Sequence, residues 1–115
     1  MGTATVAIKK RTGITAVGQS TVVDITLSTS YATGGDTVTL ASLGLPSVSA
    51  MVLTSNAGGY NVQVVHGAVE TTAPLLKVYQ GDNTNAAAAP GIEVPNTTNL
   101  STVVVRAIVY SDPFV

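Results

Sequence analysis

The chain has 115 residues, a formal net charge of −1 and 10% charged residues, so it fits one core and lacks the Lys and Arg surplus of a nucleic-acid footprint. It has no cysteine, which removes disulfides, Cys-based metal sites and thiol nucleophiles together and leaves the redox compartment unread. Eighteen Val and 17 Thr stand against one Phe, four Tyr and no Trp, a β-branched excess that favours strands over helices.

Near the start, no apolar run is long enough for a signal peptide or membrane span, and Gly2 lacks the Ser or Thr four residues on that myristoylation needs. A soluble, unprocessed chain is the expectation. Residues 1–11 read as a polar N-terminal arm or an edge strand, with Val6 and Ile8 on one side and one basic cluster, Lys9, Lys10 and Arg11. Such a cluster near a terminus is ordinarily a solvated arm, and an arm is expected to be removable without loss of the fold. Gly13 interrupts the run before residues 14–17.

Residues 20–28 alternate clearly, Val23, Ile25 and Leu27 on one face and Val22, Asp24 and Thr26 on the other, which predicts a half-buried strand. Residues 28–36 collect Ser, Thr, Tyr31 and Gly34-Gly35, a turn composition. Residues 37–40 resume a strand with Val38 and Leu40 inward. Next, Leu43-Gly44-Leu45-Pro46 predicts one helical turn ended by Gly44, its leucines plugging one end of the core. Residues 47–54 and 60–66 read as strands, and Asn56-Ala57-Gly58-Gly59 between them predicts a hairpin.

Residues 75–79 form a further short strand. Residues 80–99 are then a long loop of Asp, Asn, Thr, Pro and Gly with four alanines, too few for a helix of their own, and Ile92 and Val94 can pair briefly at an edge. A loop of this length suggests contact with a partner. The glycosylation patterns at Asn96 and Asn99 read as polar loop. Residues 101–110 are the longest β-favouring run: Val103, Val105, Ala107 and Val109 face one way and Val104, Arg106, Ile108 and Tyr110 the other, which predicts a central strand covered on much of both surfaces. The whole is one all-β domain over residues 1–115, an antiparallel β-sandwich or jelly-roll-like arrangement of about seven or eight short strands.

No catalytic set is visible. His66, the one histidine, lies beside Val62 and Val64 in the alternation and reads as a structural histidine at a strand end. Asp24, Asp36, Asp82 and Asp112 are isolated and lack calcium-loop spacing. Gly34-Gly35-Asp36-Thr37 lacks the spaced glycines and Lys of a phosphate loop. Arg106, within the central strand, requires either a carboxylate partner or an outward place in an interface, and the interface is favoured. No cofactor, metal or enzymatic activity is expected.

The run Ser30-Tyr31-Ala32-Thr33-Gly34-Gly35-Asp36-Thr37-Val38-Thr39-Leu40 with Leu43-Gly44-Leu45, and the later Asn99-Leu100-Ser101-Thr102-Val103-Val104-Val105-Arg106-Ala107, resemble small structural proteins of tailed bacteriophages. The resemblance covers about a third of the chain. It implies a virion protein made in the host cytoplasm, a capsid decoration (cement) protein that adds a β-rich domain, often as a homotrimer, onto the outer surface of the major capsid protein shell. The ending Tyr110-Ser111-Asp112-Pro113-Phe114-Val115 departs from that family, in which a glycine follows the strand. Lys9, Lys10, Arg11, Tyr31 and Arg106 are the candidate partner-binding residues, with neither nucleic acid nor membrane as a partner. A carbohydrate-binding or adhesin module of the virion surface, or a neck, tail or head-fibre component, is the alternative; the former calls for aromatic platforms, and the chain offers four tyrosines.

Overall fold

In the computed structural model, which describes residues 2–11, 19–54, 60–80 and 92–111, the alternating segments become eight strands in two antiparallel sheets. The side chains of Lys10, Arg11 and Gln19 lie outside that description. The strands are β1 (Thr5–Arg11), β2 (Gln19–Thr26), β3 (Asp36–Thr37), β4 (Ala50–Leu53), β5 (Asn61–Val65), β6 (Leu75–Gln80), β7 (Ile92–Glu93) and β8 (Val104–Ser111). One sheet runs β1-β2-β8-β4; the other runs β3-β6-β5, with β7 also on β6.

Strand β8 is interior, as its composition predicts. It pairs with β2 along its whole length, from Thr26 opposite Val104 to Gln19 opposite Ser111, and with β4 from Leu53 opposite Ala107 to Ala50 opposite Tyr110. Its inward residues Val105, Ala107 and Val109 are buried with Val23 and Ile25 of β2 and Met51 of β4, facing Val62, Leu76 and Val78 of the other sheet. The expectation of cover on both surfaces is corrected: Val104, Arg106 and Tyr110 are exposed and Ile108 is half-buried, because only one sheet is stacked on this one. The strand is therefore central by backbone pairing and one-sided by packing.

The helical turn α1 (Leu40–Leu43) forms where the leucine-glycine pattern places it. The Thr39 hydroxyl caps it by accepting from the Ser42 amide, and Gly44 ends it at φ 69°, a left-handed conformation that glycine adopts without a Cβ penalty. Leu43 and Leu45 are buried at the core's end.

One expectation is overturned. The segments flanking residues 55–59 do not pair as a hairpin: β4 belongs to the β8 sheet and β5 to the β6 sheet, so this connection crosses between layers. Met51 of β4 and Val62 of β5 are buried in one core cluster between the layers. Of the two readings of residues 1–11, an arm or an edge strand, the edge strand holds. β1 pairs with β2, and before it the Ala4 amide donates to the Thr37 carbonyl (2.9 Å) and the Thr37 amide to the Gly2 carbonyl (3.0 Å), so this segment ties the two sheets together. Gly2 is packed so closely that a Cβ there would meet Asp36 Oδ1 at 1.8 Å. The expected turn at 56–59, the alanine run at 86–89 and the tail at 112–115 lie outside the described residues.

Candidate interaction surface

Because β2 and β8 pair with Asp24 opposite Arg106, two charges far apart in sequence meet on the outer face of the sheet. Arg106 Nε donates to Asp24 Oδ1 at 2.7 Å and its Nη2 donates to Oδ2 at 3.1 Å, a two-point contact that fixes the planar guanidinium. Lys9 Nζ stands 3.9 Å from Asp24 Oδ2. The hydrogen bond from Arg106 holds the Asp24 carboxyl below the ordinary aspartate value, against a desolvation effect and aided by the Arg106 and Lys9 charges. The same bond raises the guanidinium further. Arg106 thus has the carboxylate partner that one alternative required, and it also faces outward.

Beside this ion cluster runs an apolar row. Val52, opposite Ile108, is 50% exposed, and Ile108 in turn stands opposite Val22; Tyr110 lies next along β8 opposite Ala50, and Val104 lies on the far side of Arg106. The result is a sheet face whose exposed apolar side chains lie on both sides of a charged band that crosses the two interior strands at Arg106 and Asp24. Lys10 and Arg11 follow on β1, with Lys10 opposite Val22 and Arg11 opposite Thr21 in register. The register slips between Ile8 and Lys10, and a bulge with lysines on an edge strand also discourages addition of a further strand there.

Of the five candidate residues, the structure brings Lys9 and Arg106 together on Asp24 and sets Lys10 and Arg11 on the adjoining edge. Tyr31 is corrected: it is fully buried and cannot meet a partner at the surface. Its hydroxyl accepts from the Val78 amide (3.1 Å) and donates to Glu93 Oε2 (2.7 Å), which also accepts from the Gly34 amide (2.6 Å). Along one edge of β6, β3 pairs with Leu75 and Leu76 and β7 with Tyr79 and Gln80, so the Tyr31 hydroxyl serves the backbone donor between them. Burial chiefly, then the Glu93 hydrogen bond, pushes the Tyr31 hydroxyl well above the ordinary tyrosine value. The Tyr31 hydrogen bond holds the Glu93 carboxyl below the ordinary glutamate value.

Asp36, read as a turn residue, is buried and accepts from the Ser28 amide (2.8 Å) and the Ala32 amide (3.3 Å), closing the 28–36 loop. His66 is exposed just past β5 and lines a shallow cleft of about 130 Å³ with Val48, Ser49, Glu70 and Thr72. Among the described residues no group of three or more His, Cys, Asp or Glu is placed to hold a metal. Asp24 and Val52 are the surface residues that sequence reasoning passed over. The signal was present in the alternations of residues 20–28 and 101–110; only the pairing of those two strands was missing. Compared with protein-family models, curated proteins and solved structures, the chain matches none of them.

Proposed function

We propose that this chain is a non-enzymatic virion structural protein, a capsid decoration (cement) protein of a tailed bacteriophage that binds the outer surface of the major capsid shell and stabilises it, acting as a homotrimer. The observation that carries the reading is the outer face of the β1-β2-β8-β4 sheet, where Val52, Val104 and Tyr110 are 50%, 43% and 43% exposed around a fixed ion pair. Exposed apolar side chains on a hydrogen-bonded sheet face suit contact with another protein. The resemblance at residues 30–45 and 99–107 supports the same reading. A decoration protein requires no catalytic chemistry, only a rigid scaffold and a face for its partner. Joining three such faces makes the second and third contacts intramolecular, so modest single interfaces add up to firm attachment.

A glycan-binding module is less well supported, because Tyr31 is buried, Tyr60 and Tyr79 are half-buried, and one exposed Tyr110 makes no aromatic platform. The test is to incubate purified protein with empty capsid shells, pellet them and count bound copies. Many copies per shell, at a fixed ratio to the major capsid protein, are expected. One or a few copies would favour a neck or fibre component, and no binding would overturn the reading.

A further inference from the structure

Charge is divided unequally between the two layers. Among the side chains the structure describes, strands β1, β2, β8 and β4 carry Lys9 and Arg106 against one acid, Asp24. The other described residues hold Lys77 against Asp36, Glu70 and Glu93. Of those acids, Asp36 is buried against backbone amides, Glu93 accepts from Tyr31 and Gly34, and Glu70 is half-buried, so that layer is the acidic one.

We infer that the outer face of the β1-β2-β8-β4 sheet docks on an acidic protein surface, with Val52, Ile108 and Val22 seated on an apolar strip and the Lys9 and Arg106 band set against carboxylates. This rests on the reading of the chain as a shell-binding protein and adds which layer faces the shell and what the shell presents there. The Asp24 carboxylate is shared between Arg106 and Lys9, so the band stays cationic after its internal pairing. Such charges steer encounter and fix orientation, while the desolvated apolar contacts beside them supply most of the affinity. A second copy of the chain is a poorer occupant, because among the described residues Asp36 is buried and Asp24 and Glu93 already accept hydrogen bonds. Nucleic acid is poorer too, because apolar side chains lie on both sides of the band and the described residues of the face carry no row of free cations for phosphates.

The test uses the full chain and empty shells of the major capsid protein, with binding measured across a salt series for the parent and four variants. Val52→Glu and Lys9→Gln alter the proposed face; Val65→Glu and Lys77→Gln alter the opposite layer. Each variant is first checked by melting, and the salt series on the parent stands independent of any variant's folding. Parent affinity is expected to fall about tenfold or more between about 50 mM and about 300 mM salt. Val52→Glu is expected to weaken binding about tenfold or more and Lys9→Gln about threefold, while the controls stay within about twofold. A parent that does not bind shells overturns the functional reading and this inference with it. A parent that binds without salt dependence, or binding that survives both Val52→Glu and Lys9→Gln, overturns the inference alone. So does a parent that binds duplex DNA more tightly than shells, or a trimer that Val52→Glu dissociates, since the face would then serve nucleic acid or a second copy.

Discussion

Replacing Tyr31 with Phe removes one oxygen from the interior and leaves the ring in place, so its effect isolates the hydrogen bonds that this oxygen makes. The Val78 amide loses its acceptor inside the β6 edge, and Glu93 loses a 2.7 Å donor while keeping the Gly34 amide. A buried amide left unpaired costs about 1–3 kcal/mol, and a hydrogen bond to a charged acceptor contributes about 1.5–3 kcal/mol net. The two overlap, because one group makes both, and a total of about 2–4 kcal/mol is expected. For a domain of this size that corresponds to a fall in melting temperature of about 8–16 °C. The pH dependence supplies a second readout. Glu93 is held below its ordinary value, 4.5, so its contribution is present above pH 4.5 and is lost as pH falls through its folded-state value. Tyr31 is raised above its ordinary value, 10.0, so its contribution is present below pH 10 and declines as pH rises beyond it. The gap between parent and Tyr31→Phe, measured by calorimetry or circular dichroism, should therefore be widest near neutrality and narrow at both extremes. A variant that melts within about 2 °C of the parent at neutral pH would refute the assignment of Tyr31 as the polar plug of the β6 edge.

Val105→Asp buries a carboxylate with no partner opposite Ile25 and should abolish the cooperative melt, since a penalty of several kcal/mol is comparable with the whole stability of a small domain; Thr102→Asp, at an exposed site, should melt as the parent does. Gly35→Ala meets both a φ of 128° and a Cβ contact at 2.9 Å from Leu75 Cβ, whereas Gly34→Ala, at φ 98°, meets nothing within 4 Å. In chemical denaturation Gly35→Ala should lose more stability than Gly34→Ala by about 1 kcal/mol or more, and the reverse order would refute the packing of this turn on β6. Removing residues 1–11 takes away an edge strand and the ties from Gly2 and Ala4 to Thr37, and should lower the melting temperature by about 10 °C or more; an unchanged melt would restore the view of this segment as a free arm.

The sequence made the existence of most strands legible because period-two alternation is a local property. The inward residues of β2 and β8, Val23, Ile25, Val105, Ala107 and Val109, could be named before any pairing was known, and so could the helical turn ended by Gly44. What stayed hidden depends on how strands meet. The turn composition at 56–59 signals a reversal but carries no information about whether the chain returns within its sheet or crosses to the other, and β4 and β5 cross. Tyr31 was misplaced at the surface because its neighbours are Ser, Thr and Gly; its burial follows from Val78 and Glu93, residues 47 and 62 positions away. The Asp24 and Arg106 pair was missed for the same reason, being 82 residues apart and joined only by the register of β2 on β8. A largely apolar outer face of β8 was over-read as cover, when an exposed apolar row is equally consistent with an unoccupied contact face.

The most direct measurement of the central claim is a cryo-electron microscopy map of shells incubated with the full chain. Added density is expected at symmetry-related sites over the whole shell, with the β1-β2-β8-β4 face, carrying Val52, Ile108 and Arg106, turned toward the major capsid protein and the β3-β6-β5 layer turned to solvent. Bare shells, or bound copies that present the opposite layer to the shell, would contradict it.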